Sequence, residues 1–213
     1  MASAIIHICI AKKVNEILKR NEKELFLGSI APDISKQIGE SKTKSHFLTD
    51  REGRDIPNLQ LFLEKYKDTL KDNDFNLGYY CHLYADMMWF GLFFNSYLSL
   101  DQTELKYNNG EIIKKDKETL IKILYNDYTN LNVTLIDKYD LDLSLFYEEG
   151  PIINSEIDEI PIDKLQIIID KMGIIIENSK ERATIVFDPT LIYEFIDKTA
   201  NDFINDLKEI GVM

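Results

Sequence analysis

The chain has 213 residues, long enough for one sizeable core and short enough for a single domain. Its formal net charge of −12 argues against a nucleic-acid-binding module that works through a broad basic face, and it disfavours loose adsorption to an anionic membrane. A small phosphate substrate stays open, because bound metal ions invert the local sign within a cleft, and the few glycines and prolines disfavour a turn-dense β-sandwich.

The chain opens on an amphipathic pattern. Ile5, Ile6, Ile10, Val14, Ile17 and Leu18 recur at helical spacing, and Lys12, Lys13, Asn15 and Glu16 take much of the other face. Lys12 and Lys13 follow the short apolar stretch instead of preceding it, so residues 1–9 are not read as a secretory signal. Residues 26–39 contain Gly28, Pro32 and Gly39 and read as an irregular turn with a short helix at most. Residues 41–57 are polar and read as a loop around Phe47 and Leu48. A helical period resumes with Leu59, Phe62, Leu63, Tyr66 and Leu70.

Residues 77–98 form the most apolar stretch and are predicted to be the longest helix, apolar nearly all round and therefore central. No apolar run reaches transmembrane length; residues 87–94 are rich in aromatics but far too short. Residues 101–117 are polar, with Asn108–Asn109–Gly110 as a turn signal. Two further helices are expected within about 116–138, and residues 140–161, acidic and holding Gly150–Pro151, read as a loop excursion. Helices at about 162–178 and 189–209 close the chain, the last one starting at Asp188–Pro189. Residues 174–176 and 185–187 have the composition of short strands, too few to build a sheet. The fold class is all-α: a single-domain helical bundle, 1–213, with long loops. Cys9 and Cys81 form no C-x-x-C pair and no disulfide framework, which reads as two free thiols in a cytoplasmic protein.

The chain has three histidines, His7, His46 and His82. His82 and Asp86 stand four apart in Gly78-Tyr79-Tyr80-Cys81-His82-Leu83-Tyr84-Ala85-Asp86, so on a helix both project from one face and can hold one divalent ion. A hydrogen-bonded His–Asp pair is the alternative. Burial favours the metal or a close pairing, because a lone Asp in so apolar a helix is costly. Gly78, one turn before His82, would let another backbone come close. His7 lies among isoleucines, where a satisfied core histidine is the alternative to a ligand. Asp33, after Pro32, is either a ligand or the N-cap of a short helix. His46 sits in a polar loop, where a solvated imidazole is the ordinary reading.

Taken in order, H-x-C-I-A near the start, G-S-I-A-P-D, S-H-F and G-Y-Y-C-H-L-Y-A-D resemble the zinc-dependent bacterial phospholipase C family, whose all-helical fold is shared with single-strand-specific nucleases. The motifs cover about the first 90 residues. The resemblance implies that Asp33, His46, His82 and Asp86 hold one metal, that Asp86 bridges to a second, and that His7 is a ligand of the second. In secreted members of that family the processed amino terminus also holds the second metal; here Met1 stands six residues before His7, and that ligand stays open. Members of the usual type add two histidines and a Glu after the bridging Asp, and no histidine follows His82 here. One or two metals are therefore expected, with Asp127, a helical carboxylate among aromatics, as a candidate additional ligand or simply a surface residue. Zinc is the expected ion; Fe, Mn, Ni or Co accept the same donors.

The implied activity is metal-dependent hydrolysis of phosphate esters, of the phosphodiesterase or phospholipase C kind, by a metal-activated hydroxide, with Asp33 as the group that orients or deprotonates the attacking water. The expected substrate is a small phosphate ester or a phospholipid headgroup. Tyr79 and Trp89 lie near the His82–Asp86 face and are either cleft-lining residues or core. Lys44, Arg51 and Arg54 flank His46 and are either contacts to a substrate's phosphate or solvated loop residues. Two other readings compete: a nuclease of the same fold, which the acidic chain disfavours, and a non-catalytic helical protein that keeps a metal, which the missing late histidines favour.

Overall fold

The computed structural model describes residues 2–51, 53–99, 101–147, 153–178 and 182–213, with the backbone alone at 175, 176 and 178. Gly150 and Pro151, the turn signal in the acidic excursion, lie outside the described residues. Among the described residues the architecture is helical, with two small antiparallel hairpins.

Helix α1 (Ala4–Leu18) starts at Ser3, whose hydroxyl caps the amide of Ile6, and stops at Lys19 in the left-handed region. Its first two turns are buried on every side, from Ile5 to Ala11, so this helix runs through the core and does not lie on it. Helix α2 (Glu22–Ile30) is capped by Asn21, and Glu22 and Glu24 in its first turn oppose the helix dipole favourably. A 3₁₀ turn (Ala31–Asp33) and the short α3 (Ile34–Gln37) follow. The irregular turn expected over 26–39 is thus largely helical: Gly28 lies inside α2, and Pro32 sits at the start of the 3₁₀ turn, where its missing N–H costs nothing.

The expected loop over 41–57 is also structured. It comprises one helical turn, α4 (Lys42–Ser45), and a hairpin of β1 (Leu48–Arg51) with β2 (Arg54–Pro57), in which Arg51 faces Arg54. Helix α5 (Leu59–Tyr66) leads to α6 (Asp74–Met88), which is buried from Phe75 to Asp86. Helix α6 ends earlier than expected. It widens into a π-helical turn at Trp89–Phe93 and then tightens into a 3₁₀ turn. The Asn109–Gly110 turn closes a hairpin of β3 (Glu104–Lys106) and β4 (Ile112–Lys114).

Residues 117–138 are one helix, α7 (Lys117–Lys138), not two. Helices α8 (Gln166–Asn178) and α9 (Pro189–Glu209) follow, α9 capped by Asp188. Neither suggested strand forms: residues 174–176 are within α8, and residues 185–187 are irregular, bent at 185 and 186, and outside any sheet. One contiguous set of buried apolar side chains runs from Ala2 to Val212. Among the described residues, no helix is long and apolar enough to cross a membrane.

The tightest crossing in the bundle joins α2 to α6. A Cβ on Gly28 would lie 2.1 Å from the Phe75 carbonyl oxygen, and one on Gly78 would lie 2.1 Å from the Leu25 carbonyl oxygen. Each helix therefore presents a glycine where the other helix presents backbone, and only a hydrogen fits at either position. The site is built around this crossing.

Candidate metal centre

His82 stands one turn after Gly78, and Ser29 follows Gly28, so the crossing delivers the Ser29 carbonyl to the imidazole. His82 Nδ1 donates to it at 2.8 Å. A carbonyl only accepts, so Nδ1 carries the proton and the neutral ring turns the lone pair of Nε2 into the centre. One turn further along α6, Asp86 projects from the same face. Helix α1 brings His7 alongside, its ring stacked on that of His82 with centroids 3.9 Å apart and planes 14° apart.

The other two groups come from the segment between α2 and β1. Asp33 ends the 3₁₀ turn, and its side chain does not cap α3; it faces His46 and Lys42 instead. His46 ends α4, where Ser45 Oγ lies 2.9 Å from its Nδ1 and the buried Tyr79 hydroxyl donates to the Ser45 carbonyl. Phe47 follows with φ 50°, a left-handed turn that separates the imidazole from the hairpin.

All five residues meet. His46 Nε2 is 3.2 Å from His82 Nε2 and 3.3 Å from Asp33 Oδ1. Asp86 reaches in two directions: Oδ1 lies 3.4 Å from His7 Nε2, and Oδ2 lies 3.7 Å from His82 Nε2 and 3.8 Å from His46 Nε2. The donor atoms form two overlapping triads, His7–His82–Asp86 and Asp33–His46–His82, each with its atoms within 4.8 Å of one another. His82 is the residue common to both. The backbone N–H of Ala2 donates to Asp86 Oδ1 at 3.2 Å, so the chain just before α1 also reaches the centre.

Burial governs the electrostatics. It pushes the His82 imidazole well below its ordinary value, with nearby His7 adding to the effect and Asp86 opposing it. It pushes His46 down as well, against the pull of Asp33. Burial alone would raise the two carboxyls. For Asp33 the His46 hydrogen bond and the Lys42 ammonium outweigh it, and for Asp86 the close approach of His7 does, so both stay well below the ordinary carboxylate range. Near neutral pH the centre therefore contains two anionic carboxylates beside imidazoles at 46 and 82 that are neutral.

That donor set fits a divalent cation. Both ring nitrogens of His7 and Oδ2 of Asp86 are buried without a hydrogen-bond partner. A polar atom buried in this way costs about 1–3 kcal/mol unless something satisfies it. Imidazole nitrogens and carboxylate oxygens are the donors zinc takes.

The remaining predicted residues lie elsewhere. Asp127 is fully buried, not on the surface, and both its oxygens are taken by backbone amides of residues 185–187. It belongs to neither triad. Tyr79 and Trp89 have no exposed surface: Tyr79 stacks on Phe62, and Trp89 packs among Phe93, Phe187 and Phe195. Neither lines a cleft. Arg51 and Arg54 border a hollow with Phe90 and Asn95, and the guanidinium of Arg54 donates to the Leu98 carbonyl at 3.3 Å. That hollow shares no lining residue with a cleft of about 360 Å³ beside Asp33. Lys44 donates to the Asp158 carbonyl at 2.6 Å.

Sequence reasoning missed two contributors, Lys42 and Ser29, and the positioning role of a third, Tyr79. Lys42, the counter-ion of Asp33, lies among other lysines and serines with nothing to single it out. Ser29 acts through its carbonyl, which any residue would supply. Tyr79 positions Ser45 and through it His46; an apolar helix rich in tyrosine hides that role.

A family model described as zinc dependent phospholipase C matches residues 3–133, a span that holds all five residues of the centre. No curated protein and no solved structure matches the chain.

Proposed function

The chain belongs to the zinc-dependent phospholipase C family, and from that membership we propose that it is a phosphodiesterase of the phospholipase C kind, working at the His7, Asp33, His46, His82 and Asp86 centre. At family level the activity is metal-dependent phosphoester chemistry, and zinc is the cofactor. The observation that carries the finer reading is the convergence of three buried imidazoles and two carboxylates, with the nitrogens of His7 and one oxygen of Asp86 unsatisfied.

In this reading Asp33, His46, His82 and Asp86 would hold one ion, and His7 with Asp86 would serve a second. A divalent ion bound there supplies Lewis acidity toward the phosphoryl oxygens. The chain's own groups do the rest. The Ser29 carbonyl fixes the tautomer and the aim of His82. Asp33, ionised and at the mouth of the cleft, accepts a hydrogen bond from the attacking water and takes its proton. The substrate is a phosphate-ester small molecule or a phospholipid headgroup. A cytoplasmic location belongs to the same reading, supported by the free, buried thiols of Cys9 and Cys81.

Elemental analysis and a diester assay test it together. The wild-type protein is expected to take up zinc and release product from a phosphodiester. Asp86→Asn is expected to lose most of the metal and about 100-fold or more in activity, the loss typical of a stripped metal ligand. Equal zinc content in wild type and Asp86→Asn would overturn the ligand assignment, and zinc uptake without turnover of any diester would overturn the reaction.

A further inference from the structure

The cleft beside Asp33 has a charge opposite to that of the molecule around it. Among the described residues Asp33 is the one carboxylate in its lining, and Lys42 already pairs with it. Lys36 on α3 and Lys171 on α8 contribute two positive charges to the lining. Neither makes an ion pair with a carboxylate among the described residues. In a chain with 37 acidic and 25 basic residues, two cations in one cleft without a carboxylate partner among the described residues are a departure from the bulk composition.

Lys36 is also held in place. Its ammonium sits 4.5 Å from the centroid of the Tyr125 ring and touches the Tyr125 hydroxyl, so an aromatic face steadies the charge without neutralising it. Tyr128 and Asn132 continue the wall along α7 toward the first turn of α1. A volume of about 360 Å³ suits a small polar headgroup.

Resting on the phosphodiesterase reading above, we propose that this cleft selects a phosphodiester whose headgroup carries a second anionic group, bound by Lys36 and Lys171, while the scissile phosphate faces the metal centre. A cationic headgroup finds no unpaired carboxylate among the described lining residues and meets two ammonium groups instead. Repulsion therefore contributes to the selection as much as attraction does. The anionic diester has two sources, a membrane phospholipid and a soluble glycerophosphodiester, and the chemistry recognised is the same.

The test uses the full chain, zinc-free and zinc-loaded, in isothermal titration calorimetry with glycerophosphoinositol 4-phosphate and with glycerophosphocholine. The bis-anionic probe is expected to bind about tenfold more tightly in both states, an advantage that shrinks as salt is added. Lys36→Gln and Lys171→Gln are each expected to reduce that preference by about threefold or more, with zinc content and melting temperature unchanged. Equal or tighter binding of the choline probe, or a preference that survives both substitutions, would sink the proposal. Diglyceride release from mixed micelles containing phosphatidylinositol 4-phosphate would identify the lipid as the source, and turnover of the soluble probe alone would identify the free diester. If the preference holds while zinc-loaded protein cleaves neither, the hydrolase reading falls and the anion site stands.

Discussion

Asp127 commits both of its oxygens to backbone. Oδ1 accepts from the amide of Ile185 at 2.7 Å, and Oδ2 accepts from Val186 at 3.0 Å and Phe187 at 2.8 Å. The carboxylate thus satisfies three successive amides of the bent segment 185–187 and fixes Phe187 against Tyr128 and Trp89. Replacing one oxygen with an amide group turns a donor toward donors, so Asp127→Asn is expected to lower stability by about 1.5–3 kcal/mol. Urea unfolding reads the loss, and zinc per mole of protein should not change. A fall in zinc with unaltered stability would make Asp127 a ligand after all. At this scale the sequence is most readable where side chains act on side chains. Three histidines in ordered motifs, with a carboxylate four residues after the last, are visible without coordinates. Asp127 and Ser29 are not, because their partnerships involve backbone atoms, which are the same in every residue.

Between elements, the reciprocal glycines of α2 and α6 decide where the centre sits. The Gly78→Ala methyl group would stand 2.1 Å from a backbone oxygen that cannot rotate away, so the helices must part. The expected cost is about 1–3 kcal/mol, as for other overpacked sites, or more if the crossing cannot relax. Because His82 Nδ1 reaches Ser29 across the same crossing, zinc affinity should fall along with the unfolding midpoint. A variant that keeps both would mean that the two helices separate without consequence for the centre. Gly28 also explains why residues 26–39 look irregular from sequence. A glycine inside a helix reads as a breaker unless the neighbouring backbone that requires it is known. The β1–β2 hairpin is hidden for a different reason: its strands carry charge on both faces, and their pairing leaves no alternating pattern. Helices α1, α5, α8 and α9 are legible because their apolar positions keep a helical period.

For the whole molecule, the centre sets a pH dependence of stability in the metal-free protein. His46 and His82 titrate below their ordinary value of 6.5 in the fold, so the unfolded chain binds protons there while the native state does not. Their contribution is complete above about pH 6.5 and is lost as the pH falls below it. Asp33 and Asp86 titrate well below 3.8 in the fold, which adds a second loss beginning as the pH falls through that value. Denaturant midpoints of metal-free protein from about pH 8 to 3 are therefore expected to decline in two stages. A flat midpoint between about pH 7 and 5 would contradict neutral buried imidazoles at these positions.

The stacking of His7 on His82 has a consequence for chain topology. All five donors lie in the first 86 residues, yet they come from α1, the turn before α3, the end of α4 and the second half of α6. A single occupied centre would fasten these distant points together, as a disulfide fastens two. It would stabilise the folded amino-terminal segment by binding to that state alone, and would take no ligand from the described residues of 87–213. The centre would then serve as a reversible clasp on one end of the polypeptide, closed by an ion and opened by a chelator.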